Sequence, residues 1–301
     1  MHRFLRSIGF TDIKGPAEVE NLLKLVVKCN HSKEFFTRED GITIGQYRME
    51  FGNGFGIAVC GEFDEDDQFY MDHYYPYLNS MSVSSEEDVS IERLGANDAY
   101  MGVCDDMKMG ITMIFYLQHS IPYLKAQAKG LTNGSHLTVA LSALAETGTI
   151  LMPITKNDQP KNKGLKKGKD RRTLLKEAKA GNEEAIETLT LGDMDLYSAI
   201  TKKIRTNDLY TLVDTSFMPY GVECDQYSII GEIRSVRKSG NRMTGKSVYV
   251  MQILVNETLM DLCIDEEDLY GEPEVGRRFK GNIWLQGLLM GDGLQYDSDP
   301  E

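Results

Sequence analysis

The most explicit chemical spelling in the sequence is Gly240-Asn241-Arg242-Met243-Thr244-Gly245-Lys246-Ser247. It satisfies G-x-x-x-x-G-K-[ST], in which backbone N–H groups and the start of a helix aim positive dipole ends at phosphates. That chemistry needs a helix to begin at Lys246-Ser247. The next residues, Val248-Tyr249-Val250-Met251-Gln252-Ile253-Leu254-Val255, are instead β-branched and strand-like. Only 54 residues remain after Ser247, too few for the βα units and the downstream acidic strand of a nucleotide hydrolase. The segment is expected to be a hairpin turn with a solvated lysine. Gly52-Asn53-Gly54-Phe55-Gly56 likewise sits between two alternating runs rather than ahead of a helix, so it reads as a turn and not a dinucleotide loop.

Two acidic clusters could also do chemistry. Asp64-Glu65-Asp66-Asp67, with Glu62, Asp72 and His73 nearby, has oxygens enough for a hard cation. An EF-hand loop wants glycine at its sixth position, where Phe69 stands, so a solvated hairpin tip is expected and no metal site is assigned. The second cluster is Asp214, Glu223, Cys224 and Asp225 around Phe217-Met218-Pro219. Carboxylates on an irregular loop can share a site and perturb one another, which makes Asp214, Glu223 and Asp225 the candidate catalytic residues, although an interdomain connector would look much the same. No nucleophile with its base is written locally: there is no G-x-S-x-G and no H-E-x-x-H, and His2, His31, His73, His119 and His136 are isolated. Triads are assembled in space, so this silence weighs little.

A candidate binding surface is electrostatic. Arg234, Arg237, Lys238, Arg242 and Lys246 crowd one hairpin, and with Tyr227, Tyr249 and Trp284 a small barrel could stack bases and contact phosphates. Asp261, Asp265, Glu266, Glu267, Asp268, Glu272 and Glu274 would repel a polyanion. A solvated face, or one paired with the protein's own acids, is the plainer expectation.

Periodicity indicates the helices and strands on which these residues sit. A chain of 301 residues suggests about two domains. With 33 basic and 46 acidic residues the formal charge is −13, and 41% apolar content is enough for a core. Residues 156–206 hold 13 basic against 8 acidic groups, and within them Lys156 to Lys169 has the composition of a linker. The expected division is 1–155, an antiparallel α+β domain; 156–221, a basic linker and helical connector; and 222–296, a small β-barrel resembling an OB-fold. Before the linker, a helix over 17–28 has Val19, Leu22, Leu23 and Val26 on one face. Strand-like runs cover 42–51, 55–59, 69–77, 89–94, 99–104, 109–117, 136–145 and 149–154, with one helix at 120–129 capped by Ser120. After it, Arg171 to Ala180, Glu183 to Leu189 capped by Asn182, and a segment capped by Asp193 read as short helices. The last part reads as strands over 227–236, 247–255, 258–264 and 279–289, whose edges a barrel would remove. No apolar run approaches bilayer length, no signal core follows the N-terminus, and five cysteines without Cys-x-x-Cys suggest reduced thiols in a cytoplasm.

Three stretches carry a resemblance: Met1-His2 with Phe4-Leu5-Arg6 and Ile8-Gly9-Phe10; Asp214-Thr215, Phe217-Met218-Pro219, Gly221 and Glu223-Cys224-Asp225; and Asp268-Leu269, Gly271-Glu272-Pro273, Gly276 to Gly281 and Trp284-Leu285-Gln286-Gly287. Together they resemble an uncharacterised family of anaerobic Firmicutes. The resemblance implies a bacterial cytoplasmic setting and transfers no catalytic residue.

Three functions are compatible with these readings. The first is a non-catalytic binding or interaction protein with a protein or small-molecule partner, since no complete catalytic constellation and no cofactor motif is written. The second is a small-molecule enzyme with a cleft near Asp214 to Asp225. The third is weak single-stranded nucleic-acid binding through the 234–246 hairpin, opposed by the net charge.

Overall fold

The computed structural model describes residues 2–80, 82–95, 98–106, 108–132, 136–153, 171–190, 213–291, 294 and 296. Residues 1–151 and 215–301 form one compact unit, and Met152–Asp214 another. In the second unit a helix α3 (Arg171–Lys179) ends near Gly181, and a helix over 183–190 starts where Asn182 Oδ1 accepts from the N–H groups of Glu184 and Ala185, the cap expected of that residue. The linker at Lys156 to Lys169 and the segment after Asp193 lie outside the described residues.

The first unit begins with a 3₁₀ helix (Arg3–Ile8) and α1 (Pro16–Lys28), which turns Val19, Leu22, Leu23 and Val26 inward as its spacing predicts. A four-stranded antiparallel meander is built from β1 (Ser32–Thr37), β2 (Thr43–Glu50), β3 (Phe55–Phe63) and β4 (Phe69–Leu78). Asn53-Gly54 makes the β2–β3 turn with Gly54 at φ 84°. The run Asp64 to Asp67 makes the β3–β4 tip, where Asp64 Oδ1 accepts from the N–H groups of Asp66 and Gln68. Both turns match the sequence reading.

Next along the chain are β5 (Val89–Arg93), β6 (Tyr100–Cys104), β7 (Met113–Leu117), α2 (Ser120–Ala128) and a long β8 (Thr138–Leu151). β8 fuses the two runs expected at 136–145 and 149–154. The residue preceding α2 is also not as expected: His119, at φ 56° and without a side-chain cap, holds the N-cap position assigned to Ser120. The chain closes with β9 (Ser216–Pro219), β10 (Gln226–Gly240), β11 (Ser247–Val255), β12 (Thr258–Asp265), β13 (Leu269–Tyr270) and β14 (Arg278–Met290).

The barrel is real, but it is not made by residues 222–296 alone. Its closed order is β8-β12-β11-β10-β14 and back to β8, with β8 parallel to β12 and antiparallel to β14 over nearly the whole of both strands. Four strands from the C-terminal part leave two open edges, and β8 bridges them, so residues expected in separate domains share one sheet. β14 also pairs with β7, which extends the sheet through β6 to β5.

Alternation sorts the barrel side chains into two cores. Met251, Ile253, Val255, Leu262, Ile264, Ala143, Ala145, Ile283 and Leu285 belong to the first, which also takes in Phe279 and Phe115. The intervening Val248, Val250, Cys263, Leu144 and Trp284 belong to the second, formed with the 3₁₀ helix, α1 and the buried face of the meander. Gly148 is glycine because the Phe279 ring occupies its side-chain position, 2.2 Å from where a Cβ would lie.

Candidate functional site

Where the N-terminal 3₁₀ helix meets β6, β7, β14 and the loop ahead of β10, a cleft of about 600 Å³ opens. His2, Arg3, Phe4, Leu94, Met101, Tyr116, Val222, Glu223, Cys224, Asp225, Gln226 and Trp284 line it. The loop is held by two anchors. Asp225 accepts through Oδ2 from the Trp284 indole N–H at 2.7 Å, and its backbone carbonyl accepts from Leu285 N–H at 2.9 Å. Antiparallel pairing of Gln226 with Trp284 puts the two side by side, which sequence separation concealed.

The walls are apolar and aromatic. Trp284 stacks on Phe4 with centroids 5.5 Å apart and lies 4.7 Å from the His2 ring and 5.2 Å from Tyr116. The polar groups converge from different elements. Arg3 reaches Glu223 at 3.3 Å, Glu146 at 3.7 Å and the Gln226 amide oxygen. Glu146 is the extra residue of a β-bulge, since Thr147 faces Asn282 and Ala145 faces Ile283. The Cys224 thiol sits 3.5 Å from Met101 Sδ.

Electrostatics set these groups apart. Burial pushes the Asp225 carboxyl above its usual range, against the pull of the indole hydrogen bond, and the neighbouring Glu223 adds to the rise. Among the described residues Asp225 has no cation within ion-pair distance. Burial, helped by the Arg3 guanidinium, holds the His2 imidazole down at about 4, so it is neutral at physiological pH. Burial likewise lifts the Cys224 thiol, which makes it a poor thiolate.

A second polar chain enters from β4. Asp72 Oδ2 lies 3.0 Å from His73 Nδ1, and His73 Nε2 lies 3.2 Å from the Tyr116 hydroxyl. Adjacent strand residues normally point to opposite faces. Here Cys60 pairs with His73 and Gly61 with Met71, so Asp72 is the extra residue of a bulge and can turn toward its neighbour.

Of the candidate catalytic residues, Glu223 and Asp225 line the cleft together, whereas Asp214 falls in the second compact unit and is absent from that lining. Spacing did not reveal the cleft residues His2, Arg3 and Tyr116, nor the pair Asp72-His73 that stands behind Tyr116. Only the last left a trace, as oxygens and an imidazole beside the acidic tip.

The basic hairpin is largely self-neutralised. Arg234 pairs with Glu232 at 3.1 Å, Lys238 with Glu266 at 2.5 Å and Lys246 with Glu267 at 2.8 Å, while Arg237 donates to the Asn53 carbonyl at 3.0 Å. Arg242 is exposed, and its backbone N–H donates to the Phe51 carbonyl at 2.7 Å. The phosphate-loop spelling is the turn between β10 and β11, and strand begins after Lys246. Asn241 organises that turn, accepting from Met243 and Thr244 N–H, while its own amide donates to Ile8 O at 2.7 Å. Thr244 adds a bond to Gly9 O at 2.8 Å, so the turn clasps the end of the 3₁₀ helix.

A family described as "Domain of unknown function, E. rectale Gene description (DUF3881)" matches residues 5–287, and the chain belongs to it. No curated protein and no solved structure matches the chain. Among the described residues no helix is long and apolar enough to cross a membrane.

Proposed function

We propose that this is a ligand-binding protein whose cleft takes a small organic amine, with the cationic group against Asp225 and an apolar or planar body against Met101, Val222 and Tyr116. The observation that carries the reading is the Asp225 carboxylate. It is partly desolvated, fixed by an indole hydrogen bond and, among the described residues, without a cation within ion-pair distance; the Arg3 guanidinium at the cleft wall exerts a minor coulombic pull on it but is itself paired with Glu146 and Glu223. A carboxylate held in that way gains from a cation that brings its own apolar surface. The pairing of Arg234, Lys238 and Lys246 with carboxylates favours this reading over nucleic-acid binding through the hairpin. Five free cysteines support a reducing compartment, the cytoplasm.

Trp284 is the single tryptophan of the chain and reports on the site directly. Titration with benzylamine, benzyl alcohol and benzoate should quench its fluorescence saturably for the amine, weakly for the alcohol and not for the acid. Asp225→Asn, which can still accept from the indole, should remove the preference for the amine. Equal quenching by benzoate, or an unchanged preference in D225N, would reject the proposal.

A further inference from the structure

In the proposed amine binding Tyr116 serves only as an apolar wall, yet its hydroxyl belongs to a chain, Asp72–His73–Tyr116, that runs from solvent to the cleft wall. Asp72 is 40% exposed at its side chain, His73 is 18% exposed, and Tyr116 lines the cavity. The order of groups is that of a hydroxyl backed by an imidazole and an orienting carboxylate. With Asp72 accepting from Nδ1–H, the His73 Nε2 lone pair faces the Tyr116 hydroxyl, which donates to it and keeps its own oxygen lone pairs for another hydrogen. The bulge at Asp72 is what permits the arrangement. Without the extra residue, Asp72 and His73 would project to opposite faces of the meander.

We infer that the cleft is an acid–base site in which Tyr116, backed by His73 and Asp72, removes a proton from a carbon beside a carbonyl of the bound amine and delivers it to the carbonyl oxygen. The inference rests on the proposal that the cleft binds an amine. In the first step the substrate C–H bond breaks and its proton goes to Tyr116 Oη, while the Tyr116 proton passes to His73 Nε2. The electron pair left behind forms the enolate, and the imidazolium is held by Asp72. Delivery of that proton from Tyr116 Oη to the enolate oxygen, with His73 returning the Tyr116 proton, restores every group, so the net change is a keto–enol tautomerisation and no co-reactant is consumed. Burial holds the Tyr116 phenol far above its usual range, so it does not ionise unaided, which is why the imidazole must take its proton in the same step.

The test uses the full chain and nitrobenzisoxazole, a carbon acid that opens to a coloured cyanophenolate once a base removes its ring proton. Wild-type protein should accelerate the opening with saturation. Tyr116→Phe should lower kcat roughly a hundredfold, in the range of a lost general base, and Asp72→Asn about tenfold, each with KM nearly unchanged. Circular dichroism checks that the variants are folded, and Trp284 quenching by nitrobenzisoxazole reports binding independently of turnover. Saturable quenching without acceleration, or acceleration equal in Y116F and wild type, overturns the relay and leaves the amine-binding proposal intact. If neither nitrobenzisoxazole nor benzylamine quenches Trp284, both proposals fall.

Discussion

Gln118, Ser142 and Gln286 occupy the interior of the first unit, whereas Glu223, Asp225 and Arg3 lie at the cleft, and the two groups handle polarity in opposite ways. Inside, Gln118 Nε2 donates to Gln286 Oε1 at 2.6 Å, to Ser142 Oγ at 3.1 Å and to Leu78 O at 3.1 Å, and Gln286 Nε2 donates to Pro76 O at 2.8 Å. Close by in sequence, Arg48 donates toward His119 Nδ1 at 3.0 Å, which leaves the proton on Nε2, 3.0 Å from the buried Glu34 carboxylate. Arg48 also reaches Asn79 at 2.7 Å and lies 4.1 Å over the Tyr77 ring. Such networks, although among the described residues Gln118 Oε1 and Arg48 Nε are left without a hydrogen-bond partner, stitch the meander to the barrel wall. At the cleft, by contrast, Asp225 has an indole on one side and open space on the other. A polar group whose partners all belong to the protein holds the fold together, while one left facing a cavity is available to a ligand.

The sharpest way to break this contrast is inside the network. Gln286→Leu removes both an acceptor and a donor from a fully buried position, takes from Gln118 its shortest hydrogen bond and strands the Pro76 carbonyl. It should cost about 2–4 kcal/mol in denaturant unfolding while Trp284 stays quenchable in the surviving folded protein. A cost near zero would show the network to be slack.

Asp225→Asn should do the reverse, losing amine preference while raising the melting temperature at neutral pH. The folded-state Asp225 carboxyl is raised, so its contribution to stability is present below the unfolded value and is lost as pH rises through the folded one; the amide removes that loss. The sign for His2 is opposite. Its imidazole is lowered from 6.5 to about 4, so the folded state binds fewer protons and stability falls as pH drops through that window, by up to about 3 kcal/mol. His2→Gln should flatten the slope between those two pH values, as read by urea unfolding at several pH values. The smallest effect belongs to the loudest motif. Lys246→Ala should leave the melting temperature within error and nucleotide affinity absent, because among the described residues the Lys246 ammonium pairs only with the exposed Glu267 and Asp12.

Sequence and structure agree wherever one segment decides its own conformation. α1, the Asn53-Gly54 turn, the acidic tip and the strand after Lys246 all follow from spacing within a few residues. The cap of α2 differs because Ser120 is a good capping type, whereas His119, with its N–H donating to Tyr75 Oη at 3.1 Å, is held by contacts from the meander. Half of the candidate site was legible: Glu223 and Asp225 are close together in the loop, but nothing local announces that Trp284 anchors one of them.

Side-chain period and turn chemistry act over a handful of residues, so the alternation of the strands, the turns between them and the acidic balance are all written in the chain itself. Only the folded arrangement decided that β8 closes the barrel, that two bulges aim Asp72 and Glu146, and that Tyr116 meets His73 across 43 positions of chain. Pairings of that kind depend on which edges remain open once the local elements have formed, and an open edge leaves no mark on the residues that will later fill it.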